Sequence, residues 1–247
     1  VLGNGSIGTM SNDITTFSQT VFRNPQGIAL ANGGNLVIAD TGNNAIYLAD
    51  FSKQEVRLLA GSPGNPGKAD GQGRQALFNR PVSVSVNPAK TSFFASSTSE
   101  VIFVADAGNN VIRSVSFTGE VKTIGPIANT AINPLLDNEF TFNNLQSISL
   151  DTMGNIYVVD QTGVKVITNP VNQSQRQMIS LAQADVSFGQ ATSVVVQGTR
   201  AFVLDNNAVS EDEAVKVVTI GSPKIDNLSR TQARIEGGEE IIITGSN

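Results

Sequence analysis

Four aspartates recur where chemistry would be sought first. Asp40, Asp106, Asp160 and Asp205 each close a short apolar run, VIAD, FVAD, YVVD and FVLD. Carboxylates converging on one axis suit a hard cation, so the four are candidate ligands for calcium, and such an ion could serve a cation-dependent hydrolase or lactonase. The residues that follow point elsewhere. Asp40 precedes Thr41-Gly42-Asn43-Asn44 and Asp106 precedes Ala107-Gly108-Asn109-Asn110, a composition that makes turns, with Asx side chains capping the backbone and Gly or Asn accepting positive φ. The expectation is therefore that the aspartates are turn residues, with no cofactor and no catalytic group among them, and that a metal site is the alternative.

The remaining chemical inventory is short. The chain has no cysteine and no histidine, which removes thiol nucleophiles, disulfides, imidazole bases, Ser-His-Asp triads and His-ligated metals. Asp70 and the run Glu211-Asp212-Glu213 are acidic, but short acidic clusters in loops are usually solvated faces. Gly71-Gln72-Gly73 has no following Lys-Ser/Thr at a helix start, so it reads as linker and not as a phosphate cradle.

The elements that carry the aspartates form a repeat. Units begin at Phe22, Phe78, Phe142 and Phe188, at separations of 56, 64 and 46 residues. Each shows period-two alternation of β-branched and small residues cut by Gly and Asn, which predicts four short antiparallel strands per unit. A repeat of a few tens of residues marks stacked units that bury one core between neighbours. The N-terminal Val1-Leu2-Gly3 parallels Leu59-Ala60-Gly61, so the chain is expected to open on the outermost strand of a unit. Unit four shows three strands, and that N-terminal strand could complete it; further units preceding Val1 are the alternative.

The F-x-x-P entry at Phe22 and Pro25 and the V-A-D-x-G-N-N at Val104 to Asn110 resemble the NHL repeat family, whose units are the blades of a β-propeller. The match is weaker in unit three, with Asp160-Gln161-Thr162-Gly163, and partial in unit four, with Asp205-Asn206-Asn207. The resemblance implies an all-β propeller over residues 1–221. From 222 to 247 the pattern changes: the Pro223-to-Ser229 stretch, Gly237-Gly238 and Ile241 to Asn247 resemble the opening of an IPT/TIG domain, an immunoglobulin-like sandwich. Two strands cannot make a sandwich, so the tail reads as the first strands of a larger module, or as a packed hairpin, and the sequence as part of a longer multidomain chain.

Charge narrows the partners. The net charge of −5 is dispersed and leaves no basic face for nucleic acid, and no apolar run approaches the roughly 18 residues of a membrane span. Sequons at Asn4, Asn172 and Asn227 are candidate N-glycan sites if the chain is secreted by a eukaryote. IPT/TIG modules in similar proteins are extracellular spacers. The expected function is thus a noncatalytic extracellular or cell-surface module for adhesion or assembly, with other proteins, copies of itself or glycans as partners. The calcium-dependent hydrolase is the alternative.

Overall fold

The structure, a computed structural model, describes residues 2–10, 12–87, 100–124, 142–168, 176–181, 188–206, 215–220, 224–228 and 243–246. Alternating apolar sequence becomes four antiparallel sheets, one per unit. Blade one holds β1 (Ile14–Thr16), β2 (Gly27–Leu30), β3 (Leu36–Asp40), β4 (Ala45–Asp50) and β5 (Glu55–Ala60). Blade two holds β6 (Gly71–Gln72), β7 (Pro81–Asn87), β8 (Val101–Asp106), β9 (Val111–Ser116) and β10 (Glu120–Ile124). Blade three is β11 (Ser147–Leu150), β12 (Ile156–Asp160), β13 (Gly163–Thr168) and β14 (Gln177–Ser180); blade four is β15 (Ala191–Gln197), β16 (Arg200–Asp205) and β17 (Val215–Thr219). The first long strands of successive blades, β2, β7, β11 and β15, lie side by side in that order, the arrangement of four successive propeller blades.

Period-two alternation gives the central strands two apolar faces, and at three joints these are buried between neighbouring blades. Val37, Ala39 and Leu48 of blade one meet Val84, Ile102 and Val104 of blade two. Phe103, Ala105 and Ile112 on the other side of blade two meet Ile148, Ile156 and Val158. Val159, Val164 and Val166 meet Val194, Ala201 and Val203. Each fully buried Val, Ile or Leu contributes about 1.5–3 kcal/mol, so the stack is held chiefly by these three joints. Polar bolts set their register. Thr41 Oγ1 donates to Pro81 O at 2.7 Å, and the Arg80 N–H donates to Asn44 Oδ1 at 2.8 Å. Asn44 and Asn110 hold φ of 56° and 53°, a left-handed conformation that Asn tolerates better than other side chains.

The expectation of four strands per unit needs correction in blades one and two, where the order is β1-β5-β4-β3-β2 and β6-β10-β9-β8-β7. The connection entering each blade lays a short extra strand along its outer edge, which shortens the exposed edge of the sheet. Gly71-Gln72, read from sequence as linker, forms that strand. In the N-terminal segment the Gly3 N–H donates to Phe17 O at 3.0 Å and the Gly8 N–H to Phe22 O at 3.2 Å, and among the described residues the segment has no sheet pairing with β17. It lies on the apolar back of blade one, where Leu2, Met10, Phe17, Val21 and Phe22 cover Ala45, Tyr47, Ala49 and Val56. The likeness to the next linker does hold: Asn43 Nδ2 donates to Gly8 O at 2.8 Å, and Asn109 Nδ2 to Gly67 O at 2.7 Å. In the tail, β18 (Lys224–Leu228) pairs with β19 (Ile243–Ser246) as an antiparallel two-stranded sheet.

Two glycines are required by space. The Gly42 N–H donates to Arg23 O at 2.8 Å and the Gly108 N–H to Asn79 O at 2.7 Å. A Cβ at Gly42 would stand 2.5 Å from Arg23 O, and one at Gly108 would stand 2.6 Å from Asn79 O. Gly108→Ala is expected to cost about 1–3 kcal/mol, read as a lower urea midpoint at unchanged slope, and an unchanged midpoint would contradict this packing.

Candidate functional site

The aspartates are buried, at 0% exposure for Asp40, Asp106 and Asp160 and 1% for Asp205. A buried carboxylate must be satisfied locally, and all four are satisfied in the same way. Each accepts the backbone N–H of the residue just after its own entry phenylalanine: Arg23 to Asp40 at 2.8 Å, Asn79 to Asp106 at 2.7 Å, Asn143 to Asp160 at 3.0 Å and Gly189 to Asp205 at 2.8 Å. In the first three blades the carbonyl of that same entry residue accepts an N–H from the turn after the aspartate, from Gly42, Gly108 or Gln161. The result is a two-way clasp. The residue that follows it in the entry, Asn24, Arg80 or Asn144, takes φ of 50–53°.

This corrects the turn-capping expectation. Asp40 and Asp106 make no side-chain cap to the 3₁₀ turns they precede, and instead reach back 17 and 27 residues along the chain. Their second oxygens accept from Asn43 and Asn109 Nδ2, both at 2.7 Å. Asp160 alone of these three caps its own turn, accepting the Thr162 N–H at 2.9 Å, because its shorter hairpin has no paired Asn.

A third partner was not foreseen from sequence. On the third strand, the residue paired across from the position two before each aspartate is Tyr47, Arg113, Lys165 and Lys216 in turn. Arg113 Nη1 lies 3.1 Å from Asp106 and Lys216 Nζ 3.0 Å from Asp205, and Lys165 Nζ bonds Asp160. Each cation also stands over the entry ring of its blade: Arg113 over Phe78 at 5.1 Å, Lys165 over Phe142 at 5.6 Å and Lys216 over Phe188 at 6.0 Å. Ring, cation and carboxylate therefore form one unit in blades two, three and four. In blade one a tyrosine takes the cation's place, edge-on to Phe22 at 6.0 Å, and its buried hydroxyl has no partner.

The electrostatics follow. Burial pushes the Asp40 carboxyl up to about 6, against the opposing pull of Asn43 and the Arg23 N–H. Burial also raises Asp106, against Asn109, the Asn79 N–H and Arg113. At Asp160 burial is outweighed by Lys165, Thr162 and the Asn143 N–H, and the carboxyl falls below its usual range. Among the described residues no three His, Cys, Asp or Glu side chains are placed to share a metal. Asp70 is tied to Arg113 Nη2 at 2.8 Å and to the Thr123 N–H at 3.0 Å, a strut between linker and blade. Asn4 is exposed, with Oδ1 accepting the Ser6 N–H at 2.8 Å. Asn227 falls on β18; Asn172, Asn207, the Glu211–Glu213 run and Gly237-Gly238 lie outside the described residues.

Asp40 makes stability depend on pH in a definite direction. Its folded value of about 6 lies above its ordinary 3.8, so the folded chain holds an extra proton between them. That contribution is complete below 3.8 and is lost as pH rises through about 6. Urea unfolding from pH 4 to 7 is expected to show the wild type losing stability relative to Asp40→Asn as pH rises; parallel curves would contradict the assignment.

Comparison with known proteins agrees with the unit that this geometry defines. Residues 22–47 match the NHL repeat, a span running from the entry Phe22 to Tyr47. NHL repeat-containing protein 2 of Gallus gallus is 34% identical over 91 residues, covering 37% of this chain and 11% of that protein. Its Homo sapiens counterpart is 33% identical over 93 residues with the same coverage, so the match spans about a tenth of the length of these relatives. Among solved structures, a chain of a nidogen/laminin complex aligns with a TM-score of 0.53 at 14% identity, over 81% of this chain and 60% of that one. Fold, repeat match and clasp geometry together identify an all-β propeller carrying an NHL repeat.

Proposed function

We propose that this chain is a noncatalytic binding and scaffolding module that acts outside the cell or at its surface, through contacts with other proteins, copies of itself or glycans. One observation carries the reading: the four repeated aspartates, the best chemical candidates in the sequence, are each bound to the entry of their own blade. Three of them also hold a cation of the same blade. Their lone pairs serve rigidity. What is free to vary is the loops and faces that a stiff scaffold presents, which is where binding function resides on such folds.

Two further features support the reading. Asn4 is an exposed sequon in a turn, open to a glycan in a secretory pathway. The β18–β19 pair in the tail fits the opening strands of an IPT/TIG-like module, a spacer that would carry the propeller away from its attachment. The nidogen/laminin neighbour was solved as a protein–protein complex, a use of the fold that this reading extends to the present chain.

The test is the protein from its native source, weighed intact before and after enzymatic removal of N-glycans, and melted with calcium or with chelator. A mass that falls on deglycosylation, with a melting temperature unmoved by calcium, is the expected result. Melting that rises with calcium, since a ligand of the native state stabilises it, together with turnover of a lactone or ester, would replace this reading with the hydrolase.

A further inference from the structure

Arg80 stands in a backbone conformation that few side chains accept. Among the described non-glycine residues with left-handed φ, Asn24, Asn44, Asn110 and Asn144 are asparagines, and the others are Gln54 at 55° and Arg80 at 52°. At the same place in the entries of blades one and three the residue is Asn24 and Asn144. Asparagine eases this conformation by bonding its own backbone, which arginine cannot do, so the conformation costs Arg80 more. The surroundings hold it there: the Arg80 N–H donates to Asn44 Oδ1 at 2.8 Å, and Arg80 O accepts the Ala107 N–H at 3.2 Å. Strain that the neighbours hold in place points to a use for the side chain.

That use does not lie within the described structure. Arg57, Arg74 and Arg113 bond a carbonyl or a carboxylate, whereas the guanidiniums of Arg23 and Arg80 have no hydrogen-bond or ion-pair partner among the described residues. The two flank a single turn. Gly42 in that turn donates its N–H to Arg23 O at 2.8 Å, and Asn44 at its end accepts the Arg80 N–H. Both arginines are exposed. The carboxylates beneath them, Asp40 and Asp106, are fully buried and bonded to the Arg23 and Asn79 N–H groups. The turn therefore shows solvent two unpaired positive charges in a chain whose net charge is −5.

From this juxtaposition we infer that the end of blades one and two carrying the turn binds an acidic peptide segment of a partner protein, with Arg23 and Arg80 holding its carboxylates from either side. A guanidinium meets a carboxylate through two parallel N–H bonds, and arginine is enriched among the residues that dominate protein interfaces. Asn24 and Gln26, exposed beside Arg23, offer the donors and acceptors that a peptide main chain needs. A sugar is the poorer fit. Phe78 and Phe142 are buried and Phe22 half-buried, so at this end no exposed ring among the described residues offers a stacking platform. The strand ends lie away from the joints, so neighbouring blades leave them open. The inference rests on the binding-module reading and names its partner, yet the two fail differently: that reading fails by calcium-dependent melting and turnover, this one by peptide titration.

The probe is a short fluorescent peptide of alternating Glu and Gly, titrated against the full chain by anisotropy, with a Gln-for-Glu peptide and a sulfated disaccharide as comparisons. The Glu peptide is expected to bind, less tightly as salt is added, and the Gln peptide not to bind. Arg23→Gln and Arg80→Asn are each expected to weaken binding about tenfold or more, the loss typical of a hydrogen bond to a charged group. Arg200→Gln removes an exposed arginine at the opposite end of blade four and is expected to change nothing. Arg80→Asn is also expected to raise the urea midpoint, because Asn accepts the left-handed conformation. A variant that binds less and folds more stably separates the use of Arg80 from any part in folding. A Glu peptide that does not bind at millimolar loading, an equal loss in Arg200→Gln, tighter binding of the disaccharide than of the peptide, or an Arg80→Asn midpoint no higher than that of the wild type would overturn the proposal.

Discussion

The bond from each repeated aspartate to the N–H after its entry phenylalanine is the constraint on which the rest of the structure depends. A blade is a stack of short strands, and the chain must enter the first of them at a fixed angle for its faces to meet the neighbouring blades. The carboxylate sets that angle by holding a residue 16 to 27 positions earlier in sequence against the end of the second strand. Because the carboxylate is buried, its bonds are made in low dielectric and their loss would leave a costly unsatisfied group. The entry ring is fixed by the same arrangement, and Phe78 and Phe142 then plug the joints to the preceding blades.

In blades two, three and four a cation of the same blade balances the charge of the clasp. Burying an ion pair is not by itself a source of stability, since desolvation of both partners offsets much of their attraction. Its effect here is geometric. Arg113 bonds Asp106, Asp70, Leu77 O and Ala69 O at once, and so ties the third strand to both the clasp and the linker. Blade one keeps the clasp with Tyr47 in place of a cation, and burial raises the Asp40 carboxyl to about 6, opposed by Asn43 and the Arg23 N–H and by no cation. The segment beside Tyr47 contributes Met10, Phe17 and Phe22, an apolar surrounding in which a tyrosine ring packs better than a guanidinium.

Much of the fold was legible because β-structure writes itself with period two and the repeat supplied several copies of one pattern. The entry phenylalanines, the aspartates, the blade boundaries and the parallel between 3–22 and 61–78 could all be read from residues alone. The clasp could not. Its cations stand seven residues after Asp106, five after Asp160 and eleven after Asp205, a spacing irregular in sequence because the intervening hairpins differ in length. They coincide only when strands are aligned by register, and that alignment is the signal that would have found them. The extra strands β1 and β6 were missed because three residues and two residues are too short for periodicity to register. Turn composition around Asp40 and Asp106 was read correctly as a turn, but a carboxylate's long-range partner leaves no mark in local composition.

Native-state hydrogen exchange at the amides of Arg23, Asn79, Asn143 and Gly189 tests the clasp most directly. These residues lie outside the strands, where unbonded loop amides exchange at rates near those of an open chain. With the aspartates acting as fasteners, the four amides exchange as slowly as those of the central strands. Rapid exchange at these positions, with the strands themselves protected, would show that the carboxylates do not hold the entries and would return them to the chemical roles for which their recurrence first made them candidates.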